Sequence, residues 1–250
     1  MSTINIRGVA FDDVDINEAL AKCEAFLDED GAKIIHTPNA EIVQMCVESE
    51  DKRRLVNSAD LIIPDGAGVI LAGKILGTPV RKGKVAGIEL CEKLAANAGK
   101  WGKKVYFLGG KPGVAEAAAE KLKEKYPDLP VAGCADGYFK EDAPVIEKIN
   151  ASGADILFVC LGVPRQEEWM SANRENLSVR LMGGFGGSFD VFAGAVKRAP
   201  EFFIKCNLEW FYRLCKEPKR IGRMMKLPKF IFGAVKDKII RKKYDNLREE

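Results

Sequence analysis

Four short loops and one run of arginines hold the side chains best able to do chemistry in a chain of 250 residues with a single histidine. In "LIIPDGAGVILAG" (Leu61 to Gly73) one aspartate, Asp65, stands between an apolar run and glycines that open into a second apolar run. A carboxylate there could be a turn residue, a helix cap, a metal ligand or a base that takes the proton of an attacking hydroxyl. "HTPN" offers the Thr37 hydroxyl and the Asn39 amide, and "LGGKPG" sets Gly109 and Gly110 in a strand-to-helix turn of the kind that cradles phosphate. In "LGVPRQEEW" Gln166 falls in a first helical turn, where its amide could meet a base or sugar edge. Beside it, Glu167 and Glu168 suit the positive end of a helix dipole, and Arg165 reads as a surface charge. Arg213, Arg220 and Arg223 recur at near-helical intervals, and three guanidinium groups suit a diphosphate because each grips phosphate bidentately.

Other chemistries are poorly provided for. One histidine excludes a histidine-rich metal site and leaves a Ser-His-Asp triad hard to build; His36 ends the strand-like "AKIIH" and is expected near the core. The "DVD" of Asp13 to Asp15 resembles a metal-holding D-x-D, yet Asp15 with Glu18 fits a capping box for the helix "INEALAKCEAFL". Too few ligands surround Asp65 for a cation, so no metal site is expected. "LGGKPGV" matches neither G-x-G-x-x-G nor G-x-x-x-x-G-K-[ST] and names no cofactor, and none is expected. A tight helix–sheet turn explains it nearly as well. Four glycines around Phe185 in "GGFGGSFDVFAG" admit a ligand or a second backbone, and Asp190 is read as a cap. The seven cysteines lack any C-x-x-C, which suggests reduced thiols acting as small buried hydrophobes.

The elements that must position these loops alternate along the chain. "AKIIHT", "LIIP", "KKVYFLGG", "PVAGCA", "ADILFVCLG" and "VRLMGGFGG" read as strands, and helical stretches such as "GVILAGKIL", "VAEAAAEKLKEKY" and "RQEEWMSAN" separate them. Continuous apolar strands alternating with helices predict an α/β fold: a Rossmann-like, mostly parallel sheet with helices on both faces. In such sheets ligands bind at the carboxyl ends of the strands, where the four loops fall. Residues 1–196 form the expected α/β catalytic body, and 197–250 a basic helical C-terminal appendage. That appendage carries 16 Lys and Arg against 7 Asp and Glu, although the whole chain has 39 against 36. An anionic partner follows. In its last piece Phe230, Ile231, Val235, Ile239 and Ile240 can form an apolar stripe beside lysines, which favours a membrane surface; nucleic acid is not expected. A solvated helix packed back on the body has the same composition. No apolar run approaches the ~20 residues that span a bilayer. The start lacks a signal peptide, so a cytoplasmic, peripheral location on the inner face of the cell membrane is expected.

Taken in order, "TPNAE", "ADLIIPDGAGV", "KVAGIEL", "VYFLGG", "DGYF", "INASGADILFVCLGVPRQEEW", "GGFGGSFDVFAGAVKRAP" and "LEWFYRLCKEPKRIGR" resemble the WecG/TagA/CpsF family of bacterial glycosyltransferases from about Thr37 to Arg223. The resemblance implies an inverting, metal-independent transfer from a UDP-sugar donor to a polyprenyl-diphosphate-linked sugar acceptor. Its closest flavour is the addition of N-acetylmannosamine to undecaprenyl-diphospho-N-acetylglucosamine in teichoic-acid linkage units. It implies Asp65 as base with Thr37 beside it in the pocket, and Asn39, Lys84, Gly109, Gln166, Arg213, Arg220 and Arg223 on the substrates. Where the family commonly has Arg-Val-x-Gly-x-Asp this chain has Lys84-Val85-Ala86-Gly87-Ile88-Glu89, so a planar fork becomes a point charge. Competing readings are another donor such as UDP-glucose or UDP-N-acetylmannosaminuronic acid, a Rossmann-type dehydrogenase, and a non-catalytic module that binds anionic lipid through its tail.

Overall fold

A computed structural model describes residues 2–206, 208–216, 222 and 225–249, with the side chains of 205, 213, 216 and 241–249 outside the description. Its centre is a six-stranded parallel sheet in the order β4-β3-β8-β7-β5-β6. The strands are β3 (Lys33–His36), β4 (Leu61–Ile62), β5 (Val105–Gly109), β6 (Val131–Ala135), β7 (Ile156–Cys160) and β8 (Leu181–Gly184). Side chains alternate across it. Ile35, Val105, Phe107, Ile156, Phe158 and Leu181 join one core, and Ile34, Tyr106, Leu108, Leu157, Val159 and Met182 join the other. The sheet is thus apolar on both faces, as the continuous strands predict, and each face takes a helical layer.

On the first face lie α1 (Ile16–Phe26), α5 (Gly87–Ala98), α6 (Val114–Lys125) and the short α9 (Ser188–Phe192). Phe107, Phe158, Phe185 and Phe189 meet there at centroid distances of 5.3–5.4 Å. Each buried ring contributes about 1.5–3 kcal/mol. The second face carries α7 (Ala143–Ala151) and α8 (Arg165–Asn173). As expected from "DVD", Asp15 and Glu18 form a reciprocal capping box at the start of α1.

The sequence did not announce an antiparallel hairpin, β1 (Thr3–Ile6) and β2 (Val9–Asp12), whose turn is Arg7-Gly8. It packs with α2 (Ala40–Glu48), α4 (Ala67–Leu76) and the last helix in a third core. Asp12 Oδ2 accepts the Ile62 amide of the edge strand β4 at 2.9 Å. Between α2 and β4 runs α3 (Glu50–Asn57). After α9 come α10 (Glu201–Lys205), α11 (Glu209–Lys216) and α12 (Lys226–Glu249). The apolar stripe expected on α12 divides: Phe230 is fully buried in the third core with Ala234, whereas Val235, Ile239 and Ile240 are exposed, together with Phe232. No described helix is long and apolar enough to cross a membrane.

Candidate active site

The carboxyl ends of the strands gather the loops singled out by the sequence. Beyond β4, Pro64 O accepts the Val85 amide at 3.1 Å, which draws the loop before α5 against Asp65. The Gly87 amide then donates to Asp65 Oδ2 at 3.3 Å. Thr37, just past β3, is buried and donates its hydroxyl to Gly184 O at the end of β8, 3.0 Å away. Gly87 touches both residues: a side chain there would meet Thr37 Oγ1 at 3.0 Å. Asn39 caps α2 by accepting the Glu41 and Ile42 amides, and its Cβ lies against Gly66. Gly66 has φ 86°, a conformation that favours glycine, and it lets α4 start immediately after Asp65. The residues before α4, α5, α6, α8 and α9 offer no capping side chain, whereas Asp15, Asn39 and Ser49 cap α1, α2 and α3. Asp65 takes the first amide of α5 instead, and the Lys111, Gly162 and Phe185 carbonyls take the Val114, Gln166 and Ser188 amides.

A second group lies across β8. Gln166 is 2% exposed; its Oε1 accepts the Gly186 amide at 3.0 Å and its Nε2 donates to Glu167 Oε1 at 2.8 Å. The amide therefore braces the glycine loop after β8, whose Gly184 also holds Thr37. Glu167 departs from expectation. It is not a solvated dipole partner: its side chain points inward, Oε2 has no hydrogen-bond partner, and burial pushes its pKa from 4.5 up to about 7. Only Glu168 stays outside, paired with Lys52 at 2.9 Å. Arg165 is exposed but not idle, since it donates to Gly137 O at 2.5 Å and lies 4.6 Å from the Phe139 ring centroid. It ties the loop after β7 to the "DGYF" loop after β6. Gly109, with φ 132°, leaves no room for a side chain against the Cys160 carbonyl, and Gly110 N donates to that carbonyl at 3.0 Å. The successor of β5 lies to one side of it and that of β7 to the other, which makes the β5–β7 boundary a topological switch point. Gly109 and Gln166 flank that crevice.

A family model described as "Glycosyl transferase WecG/TagA/CpsF family" matches residues 4–244. This chain belongs to that family. It is similar to the N-acetylglucosaminyldiphosphoundecaprenol N-acetyl-beta-D-mannosaminyltransferase of Bacillus spizizenii, 37% identical over 237 residues that cover 94% of this chain and 92% of that protein. Proteins with the same name from Bacillus subtilis (33%, covering 88% and 85%) and Staphylococcus aureus strain MRSA252 (36%, covering 94% and 93%) are also similar to it.

Within this glycosyltransferase, Thr37, Asn39, Asp65 and Gln166 come together through Gly66, Gly87, Gly184 and Gly186, and Lys84 is half-buried on the loop that Pro64 holds. Arg220, Arg223 and the Arg213 side chain lie outside the described residues. The structure adds Arg198, which the sequence did not single out: its Nη2 donates to Glu89 Oε1 at 2.5 Å, two residues after Gly87. Its place in "KRAP", just after a glycine-rich run, was the available signal. Asp190 lies inside the first turn of α9 and does not cap it; Gly187 occupies the cap position. His36 is buried with Nδ1 3.1 Å from Val56 O, and burial lowers its pKa to about 4. Burial also pushes the Cys23 thiol up to about 12, so it behaves as the small hydrophobe expected. Among the described residues, no three His, Cys, Asp or Glu stand together as a metal cage requires. A groove of about 710 Å³ between α7 and the end of α8, lined by Asp142, Ile146, Asn150 and Asn173, contains none of the residues discussed above.

Proposed function

We propose that this chain transfers N-acetylmannosamine from UDP-N-acetylmannosamine to undecaprenyl-diphospho-N-acetylglucosamine, by an inverting, metal-independent displacement in teichoic-acid linkage-unit synthesis. Its relatives carry the transferred sugar and the acceptor in their names. The observation that carries the mechanism is the Asp65 carboxylate on the ligand-binding edge, held by the Gly87 amide next to Thr37. In this reading the nucleotide lies at the β5–β7 crevice near Gly109 and Gln166. Three strand steps of roughly 4.8 Å each separate β7 from β4, whose end leads to Asp65, which leaves room for a diphosphate and its sugar laid across the strand ends.

The acceptor hydroxyl oxygen attacks the anomeric carbon from the side opposite UDP. Asp65 takes its proton, and the bond from the anomeric carbon to the diphosphate oxygen breaks, its electron pair leaving with UDP. The positive N-terminal ends of α4, α5 and α6 can meet the charge that develops there, as can Lys84. Arg213, Arg220 and Arg223 grip the diphosphate of the lipid-linked acceptor. The exposed Phe232, Val235, Ile239 and Ile240 of α12, with Lys236 and Lys238 among them, support docking of 197–250 on an anionic membrane surface at the inner face of the cell membrane. The test is transfer from UDP-N-acetylmannosamine, with UDP-glucose and UDP-N-acetylmannosaminuronic acid alongside, to a short-chain polyprenyl-diphospho-N-acetylglucosamine. An Asp65→Asn variant should lose roughly 10²- to 10⁴-fold in kcat while still binding UDP. Unchanged kcat would remove Asp65 from the chemistry, and preference for another donor would reassign the sugar.

A further inference from the structure

One charged side chain joins the two ends of the chain. Arg7, in the hairpin turn, has φ 52° and is the one non-glycine with positive φ among the described residues. Its side chain is only 8% exposed. Nε donates to Asp237 Oδ2 at 2.8 Å, and Nη1 donates to Gln44 Oε1 at 3.0 Å and Phe230 O at 3.2 Å. The guanidinium carbon stands 5.6 Å from the Phe230 ring centroid. Gly233 completes the socket: a Cβ there would collide equally with Cζ, Nη1 and Nη2, so the guanidinium lies flat on bare backbone. Phe230, Gly233 and Asp237 fall on one face of α12, spaced by three and four.

An apolar contact would hold a helix as firmly, since a buried ion pair adds little net stability. What a directional socket adds is register: it admits α12 at one rotation and one axial position. That position matters for Asp65. At the start of α12, Leu227 Cδ1 fills the space a side chain on Gly68 would need, three residues past Asp65, and Lys226 Nζ is 3.8 Å from Glu41, two residues past Asn39. At the other end of the segment, Arg198 is held by Glu89, two residues past Gly87. The chain between 198 and 226 therefore leaves and returns beside the Asp65 site, and it contains Arg213, Arg220 and Arg223.

We propose that Arg7 is a positioning residue for the acceptor: seated on Phe230, Gly233 and Asp237, it fixes the register of α12 and so holds the returning end of the tail, at Lys226 and Leu227, beside the Asp65 site. This rests on the reading of the tail given above. The experiment uses the full chain with short-chain polyprenyl-diphospho-N-acetylglucosamine in anionic vesicles, and compares wild type, Arg7→Met, Gly233→Ala and the double variant. Arg7→Met and Gly233→Ala should each raise the acceptor KM about tenfold or more and leave UDP affinity within twofold. The double variant should be no worse than Arg7→Met, because the added methyl no longer meets a guanidinium. An acceptor KM within twofold of wild type in Arg7→Met, or a double variant whose defect is the product of the two, overturns the proposal. So does equal loss of UDP affinity, the mark of a merely structural role. A full-length chain with Arg213, Arg220 and Arg223 all replaced by alanine separates the two readings. Full transfer in that variant sinks the tail reading and this proposal together, and loss of transfer there with a normal Arg7→Met sinks this proposal alone.

Discussion

Replacing Glu167 by glutamine should change how stability depends on pH. Burial raises this carboxyl from 4.5 to about 7, and the hydrogen bond from Gln166 offsets only part of that. A carboxyl whose folded pKa lies above its unfolded one binds its proton more tightly when folded. Its contribution is fully present below about pH 4.5 and is lost as pH rises through 7. At 1.36 kcal/mol per pKa unit, the whole loss is roughly 3 kcal/mol, of which roughly 2 kcal/mol falls between about pH 5.5 and pH 8.5. Glutamine stays neutral across this range and still offers an oxygen to Gln166 Nε2, and the position of Oε2 has no partner to lose. Urea unfolding of wild type and Glu167→Gln across that window isolates the term, because every other titrating group, His36 included, is common to both proteins. The variant should gain roughly 2 kcal/mol relative to wild type from the acid to the alkaline end. A difference that stays flat within about 0.5 kcal/mol would refute the reasoning, and so would one that grows toward acid.

The single histidine allows a direct check of the opposite case. Burial lowers His36 from 6.5 to about 4, so its imidazole NMR signals should hold steady from about pH 8 to pH 5, and a midpoint near 6.5 would contradict the burial. Because that folded pKa is depressed, the neutral ring stabilises the fold above pH 6.5 and the benefit is lost as pH falls toward 4. Asp15→Ala removes the acceptor of the Asn17 and Glu18 amides at the start of α1 and should cost about 1 kcal/mol in urea unfolding, with transfer unchanged at 25 °C. A cost near zero would mean that the capping box contributes nothing.

The parallel sheet was legible because its strands are apolar on both sides, a pattern that leaves little else to build. The loops at its edge were legible as a set, since strand ends in such sheets are where polar residues gather. Contacts between distant segments were not. Arg7-Gly8 is not a usual hairpin turn pair, and "TINI" and "VAFD" are too short to declare strands, so the hairpin went unread. Glu167 sits where helix-dipole charges belong, and only the packing of α8 on the second core turns it inward. Arg165 resembles any surface arginine until the carbonyl of Gly137, 28 positions earlier, is brought beneath it. Phe230 looked like one member of a surface stripe. The third core takes it instead, because the hairpin supplies a wall for it that nothing in the tail's own sequence foretells.

The order of strands has a consequence for how the enzyme comes into being. The last strand in the sequence, β8, lies between β3 and β7, so β3–β4 and β5–β6–β7 remain two separate pieces until residues 181–184 insert between them. On the ribosome, some 180 residues must emerge before the sheet can close, and such long-range pairing is slow to form. The same strand brings Gly184 to Thr37 and Gly186 to Gln166. A nascent chain that has not yet added β8 therefore has Thr37 and Gln166 on separate pieces, and these loops are brought together only as the sheet closes.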